Sequence, residues 1–333
     1  MDKKIVMGVG ALVVLAAGTM LMEKKGTHVQ NKMVGKELLD AANLAKIDTI
    51  LLKGDAKTLT LKNSNTGWKM VEDDNFPADA TKVIKLLEDT AKIKYLRSVS
   101  QKKDAWAQFE VDGKKGLTLT GAGYKKELIV GKNRSGGGQY LRDAADDTTY
   151  LVDTAIRPDT DPGSWEYRTL TDLGENKIKK ITFPKVGSEP PFTLTREAGD
   201  KPFALADLKD GETFKEKESD GVKNLLADLS YTKRVKRTPA YDAALAKAET
   251  VELSTLEGQE IKLKVVILDK EVPATDPKKE PEVEKVYYLH IESAASQLAQ
   301  ITELMKTWQF EISVYQANDF RRSRGDFAQK TES

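Results

Sequence analysis

The 333 residues contain no cysteine. That excludes disulfide staples, thiol catalysis and lipid attachment through an N-terminal cysteine. Histidine occurs at only two positions, His28 and His290. A serine–histidine–aspartate triad would have to use one of them, and no G-x-S-x-G stretch supplies a nucleophile elbow. Zinc needs ligands at ordered spacing, and there is neither an H-E-x-x-H nor a cysteine pair. An excess of one charge is missing too: 53 lysines and arginines face 52 aspartates and glutamates, a net charge of +1. A nucleic-acid groove leaves a basic surplus, so no nucleic-acid partner is expected. The lack of cysteine suits either redox compartment and does not choose between them.

One long apolar run is present. After Lys3 and Lys4, residues Ile5 to Met22 carry no charge, and Glu23, Lys24 and Lys25 end the run. As a helix it would span about 27 Å at 1.5 Å per residue, close to a hydrocarbon core of roughly 30 Å. The expectation is a transmembrane anchor over 1–25, in contact with lipid through residues 5–22. A cleaved signal peptide would share the charged start and apolar middle, and Ala16, Ala17 and Gly18 offer small residues for a cleavage site. Lys3, Lys4 and the terminal amine favour a cytoplasmic N-terminus, whereas Lys24, Lys25, Lys32 and Lys36 oppose it. A signal-anchor places the chain in the bacterial inner membrane as a single-pass protein, its body on the periplasmic side. The roughly 300 residues that follow exceed the usual span of one core, so two domains are expected.

Those residues read as one unit used twice. After a linker or short helix at 26–45, a strand at Ile47 to Leu52 leads to an alternating strand at Thr58 to Leu61, a turn at Asn63 to Gly67 and a strand at Trp68 to Val71. A helix starts at Pro77-Ala78-Asp79, with Asp79 placed for its orphan amides. Val83, Leu86, Leu87 and Thr90 recur on one face of it. Strands at Leu117 to Thr120, Glu127 to Val130, Gln139 to Arg142 and Thr149 to Val152 form a meander. The order then returns. Ile178 to Phe183 echoes the first strand, Phe192 to Arg196 the second, and Val222, Leu225, Leu226 and Leu229 the helix face. Val251 to Ser254, Ile261 to Leu268 and Tyr287 to Ile291 echo the meander, the last of them its final strand. The offset grows from 131 residues (Ile47 to Ile178) to 139 (Val83 to Val222), as loop insertions make it do. Trp165 and Trp308 close the two copies and are assigned to packing. The fold class is therefore α+β: a transmembrane helix, then two tandem modules of antiparallel sheet with packed helices. The modules take 46–173 and 174–315, leaving a basic tail at 316–333.

Thr58 to Trp68 (TLTLKNSNTGW), Phe76 to Asp79 (FPAD), Glu127 to Gly131 (ELIVG), Ser135 to Arg142 (SGGGQYLR) and Thr149 to Asp153 (TYLVD) together resemble the DUF4340 family, a domain of unknown function. With the repeat, the resemblance covers about 45–310. It implies a membrane-associated bacterial protein that accompanies ABC-type export components of the kind linked to gliding motility. It supplies no catalytic residue. The second unit lacks a counterpart to the triple glycine and has a charged, proline-bearing loop at 269–284 instead.

The chemistry-bearing stretches point to contact rather than catalysis. Gly131 to Gly138 (GKNRSGGG) has glycines like a phosphate loop, but β segments flank it and the G-x-x-x-x-G-K-[ST] order is absent. It reads as an exposed hairpin, with Arg134, Gly136, Gly137, Gly138 and Gln139 as candidate partner contacts. Asp143, Asp146 and Asp147 are too close together to flank a glycoside. Lys233, Arg234, Lys236 and Arg237 form a second candidate contact, and Arg321, Arg322 and Arg324 a third, in the tail. No catalytic residue, metal ligand or cofactor is assigned. The expected function is a membrane-anchored, non-enzymatic accessory or scaffold subunit that serves a membrane protein complex such as an ABC-type transporter. The alternatives are an extracytoplasmic module that binds a ligand or envelope polymer through exposed Trp68, Trp106 or Trp165, and a hydrolase using carboxylates from distant segments.

Overall fold

The computed structural model describes residues 33–185, 187–272 and 281–330. They fall into two compact units, one ending at Tyr167 and the other starting at Arg168. The overall class is α+β, with two sheet-rich regions and interspersed helices.

The first unit holds β1 (Thr49–Lys53), β2 (Thr58–Ser64), β3 (Gly67–Met70), β4 (Phe76–Pro77), β5 (Tyr95–Ser100), β6 (Lys115–Gly121), β7 (Tyr124–Asn133), β8 (Gln139–Asp143) and β9 (Thr149–Val152). They make one nine-stranded sheet in the order β4-β3-β2-β1-β6-β7-β8-β9-β5. The period-2 pattern explains its inner face. Ile50 lies between Leu61 and Leu119, and Leu52 between Leu59 and Leu117. All six are essentially inaccessible, and each such side chain stabilises the fold by about 1.5–3 kcal/mol. The helix Ala80–Lys92 buries Val83, Leu87, Thr90 and Ala91. Asp79 caps it, accepting from the amides of Thr81 at 2.9 Å and Lys82 at 3.4 Å.

The second unit holds β10 (Thr169–Thr171), β11 (Ile178–Phe183), β12 (Phe192–Thr195), β13 (Ala204–Leu205), β14 (Glu212–Phe214), β15 (Leu229–Ser230), β16 (Lys233–Lys236), β17 (Thr250–Thr255), β18 (Glu260–Val272), β19 (Glu282–Ser293), β20 (Trp308–Ile312) and β21 (Ala328–Lys330). Its eight-stranded sheet runs β13-β12-β11-β17-β18-β19-β20-β16. Apart from β4 this is the order of the first sheet, strand for strand. Ile181 lies between Leu194 and Leu253, as Ile50 lies between Leu61 and Leu119.

The shared order corrects two alignments of the sequence. Tyr287 to Ile291 lies on β19, which takes the place of β8, whereas β20 takes the place of β9. The helix Ala299–Leu304 interrupts the chain between them. Val222, Leu225, Leu226 and Leu229 are buried as expected, but the α-helix there spans only Glu216–Asp220 and turns follow it. Lys215 offers no side-chain cap, and Gly221 disfavours continuation.

The membrane reading is also corrected. Among the described residues no helix is long and apolar enough to cross a membrane. The longest, Ala80–Lys92, has 13 residues against about 20 needed. Segment 5–22, to which the sequence assigns the anchor and the lipid contact, lies outside the described residues. The fold class therefore stands as α+β with two sheet-rich units and without a transmembrane helix among the described residues. The single-pass inner-membrane placement, the lipid contact, and the tethered role beside a membrane complex or ABC-type transporter have no support in this structure.

Candidate interaction surfaces

The triple glycine turns the chain between β7 and β8. The Arg134 amide donates to Gly138 at 2.9 Å and the Gly137 amide to Arg134 at 3.1 Å. Gly136, Gly137 and Gly138 have φ of +89°, +104° and +82°. Arg134 and the first two glycines are exposed. Gln139 is not: it is buried, its amide nitrogen donates to Gly131 at 3.1 Å and Ile156 at 3.2 Å, and its oxygen accepts from the Ile156 amide at 2.7 Å. Gln139 is a clamp behind the hairpin rather than a contact in front of it.

The second candidate stretch lies on and after β16, the last strand of its sheet. The Arg234 guanidinium sits 4.1 Å and the Lys236 ammonium 3.9 Å from the centre of the Trp308 ring. Arg237 donates to Asp242 at 2.9 Å and to the Met305 carbonyl at 2.8 Å. Three of the four cations thus already have partners within their own unit. Lys233 is exposed at the start of the strand.

The arginines near the C-terminus are folded in. Arg322 pairs with Asp319 at 3.3 Å. Arg324 meets Glu212 at 2.6 Å and Asp207 at 3.2 Å, and its side chain is 12% exposed. Phe327 is buried between Phe183 and Phe192, its ring centre 5.9 Å and 5.6 Å from theirs. The chain then pairs as β21 with β14. Residues 314–330 are therefore part of the second unit, not a free basic tail. Only Arg321 of the three is fully exposed; it borders a cavity of about 260 Å³ with Lys185, Glu249, Val251 and Phe320.

The tryptophans do not form a binding platform. Trp68, Trp165 and Trp308 are buried. Trp106 is half-buried, donates to the Asp147 carbonyl at 3.1 Å, and is covered by the Arg142 guanidinium at 3.7 Å. Asp146 is used locally, accepting from Thr148 and Tyr150. His290 is buried with Nδ1 3.4 Å from the Tyr241 hydroxyl and Nε2 3.6 Å from Glu292. Burial pushes its imidazole below the usual histidine range, and Glu292 only partly offsets this. Among the described residues no three His, Asp or Glu side chains are grouped to hold a metal ion.

One surface escapes a reading of the sequence by motif. β18 and β19 pair continuously from Ile261 opposite Ser293 to Val272 opposite Glu282. Their neighbours cover only the base of this hairpin: β17 reaches Lys264, and β20 covers only Tyr287 to Leu289. In the first unit β6 reaches Val130 of β7, and β9 covers Gln139 to Arg142 of β8. The second unit thus carries an arm where the first has a closed turn. Past Ile312 the chain forms the helix Val314–Asp319, which lies against β19. Tyr315 on this helix is 81% exposed, and Val283 on the arm 64%.

The alternation of backbone groups decides which residues of β19 look outward. The Arg237 amide donates to Thr307, so odd positions of β20 face β16 and even ones face β19. Ile312 and Phe310 oppose Tyr287 and Leu289, which puts odd positions of β19 on its outer edge. The Ile291 amide agrees, since it leaves the sheet to meet Met305 Sδ at 2.8 Å. With no shift of register along β19, Val283 and Lys285 also aim their N–H and C=O outward. β20 stops short of both.

A family model described as "Domain of unknown function (DUF4340)" matches residues 68–279. The match starts in β3 and crosses the boundary between the units. No curated protein and no solved structure matches the chain.

Proposed function

Since the chain belongs to the DUF4340 family, a domain of unknown function, we propose from its own geometry that it is a non-catalytic accessory module that acts by holding another protein. One observation carries this reading: two units share a strand order, and only the second extends its central hairpin beyond the neighbouring strands. Val266, Leu268 and Val286 pack around Tyr241 at the foot of the extension, but beyond them it adds little core, because Asp269, Lys270 and Glu271 are exposed. Ordering residues costs about 1–2 kcal/mol each in backbone entropy, and a partner's contacts would offset that cost. The reading makes no use of a membrane anchor.

Photo-crosslinking in cells tests it. A crosslinker replacing Tyr315, beside the arm, is expected to give a discrete adduct with a different protein. The same group replacing the exposed Asp55 on the first unit is expected to give none. Equal adducts from both positions, or none from either, would overturn the proposal.

A further inference from the structure

We propose that the outer edge of β19, residues 282–286, accepts an added β-strand from a partner protein, and that this strand alternates basic and apolar residues. The inference rests on the accessory-module reading and names the edge and the chemistry it recognises. Val283 and Lys285 present their N–H and C=O at an edge that no described strand covers. The helix Val314–Asp319 adjoins β19 but makes no ladder with it, and a strand edge without a ladder partner is a template for a further strand.

The side chains around it select the occupant. Among the described side chains of the arm, Asp269, Glu271 and Glu284 are acidic and Lys270 and Lys285 basic, an acidic excess of one. Glu284 is exposed at the centre of the free edge, with Lys270 opposite it on the β18 side only, and favours a second cation on its other side, from the incoming strand. Val283, 64% exposed, alternates with it, and Val314 and Tyr315 are exposed on the adjoining helix, which favours apolar residues between the cations. Alternate side chains of an added strand point to opposite faces, so basic and apolar positions follow one another along it.

A second copy of this chain is a poor occupant. Opposed residues of an antiparallel pair share a face, so a two-fold pairing of this edge must centre on one residue facing its own copy. Centring on Glu284 or Lys285 opposes like charges; centring on Val283 sets Lys285 opposite Pro281, which has no N–H for the ladder; centring on Val286 needs Tyr287, which already pairs with Ile312. Like charges directly opposite are destabilising.

The test uses the whole chain and a displayed library of random heptapeptides. Enriched sequences are expected to alternate basic and apolar residues. As synthetic peptides they should bind at least about tenfold more weakly to Val283→Pro or Lys285→Pro, each of which removes one outward N–H that the fold does not use. Thermal midpoints should be unchanged. Hydrogen exchange at Val283 and Lys285 of the unaltered chain should slow when peptide binds, and Tyr315→Ala should weaken binding without touching the backbone. These last two readouts serve if a proline variant fails to fold. No enrichment, enriched peptides that bind both proline variants normally, or self-association that the proline variants abolish would each overturn the proposal. Peptides bound elsewhere would sink the edge and leave the accessory reading standing; no peptide and no crosslinked partner would sink both.

Discussion

Arg324 grips Glu212 with two nitrogens, Nη1 to Oε1 at 2.9 Å and Nη2 to Oε2 at 2.6 Å. This fork fixes the segment after β20 to β14, more than a hundred positions earlier in the chain. The two hydrogen bonds, with a third from the Lys209 amide, hold the Glu212 carboxyl at about 2 instead of the usual 4.5.

A depressed carboxyl contributes stability above its unfolded value, and that contribution disappears as pH falls through the folded one. The second unit should therefore lose melting temperature between pH 4.5 and pH 2. Glu212→Gln should melt lower at pH 7 and lose less across the acid range. Circular dichroism melts of both chains at several pH values would show it; parallel curves would contradict the assigned role of the fork.

His290 gives a dependence in a higher range. Burial lowers its pKa from 6.5, so the neutral ring is favoured in the fold and stability falls as pH drops below about 6.5 toward the lowered value. His290→Phe should flatten that slope. Comparing urea midpoints at pH 7.5 and pH 5.5 for the two chains provides the measurement.

The glycines of the first hairpin are not equivalent. An alanine at Gly136 meets open space and pays only for its positive φ, about 1–2 kcal/mol. At Gly138 the new Cβ would lie 2.4 Å from the Val152 carbonyl oxygen. Gly138→Ala should therefore destabilise clearly more than Gly136→Ala in urea titrations.

Gln139 satisfies three buried backbone groups at once. Gln139→Leu keeps the volume and strands the Gly131 and Ile156 groups. A loss of about 1–3 kcal/mol is expected, with faster hydrogen exchange at the Ile156 amide as a local readout.

Local rules made part of this molecule readable. Period-2 runs such as TLTL place Leu59 and Leu61 inward, and Asp79 does cap the helix over Val83 and Leu87. What stayed hidden depends on pairing between distant segments. Nothing near Tyr287 states that β20 rather than β19 will occupy the final position, because both carry alternating apolar residues. Gln139 reads as a surface polar residue until Ile156 arrives opposite it. The arginines near the C-terminus read as a solvated cluster until Asp207 and Glu212 are brought to Arg324. The arm could have been suspected from the length of alternation at Ile261 to Leu268, yet its charged continuation looks like a loop when the facing strand is ignored.

The pairing of β21 with β14 has a consequence for synthesis. Thr213 must wait for Gln329, so every residue of the first unit is made before the second can close, and Phe183 and Phe192 stay without their Phe327 cover until residue 327 has been added. Nascent chains are therefore most exposed to chaperones and proteases through this second half, and a stop ahead of Phe327 would leave its aromatic cluster uncovered.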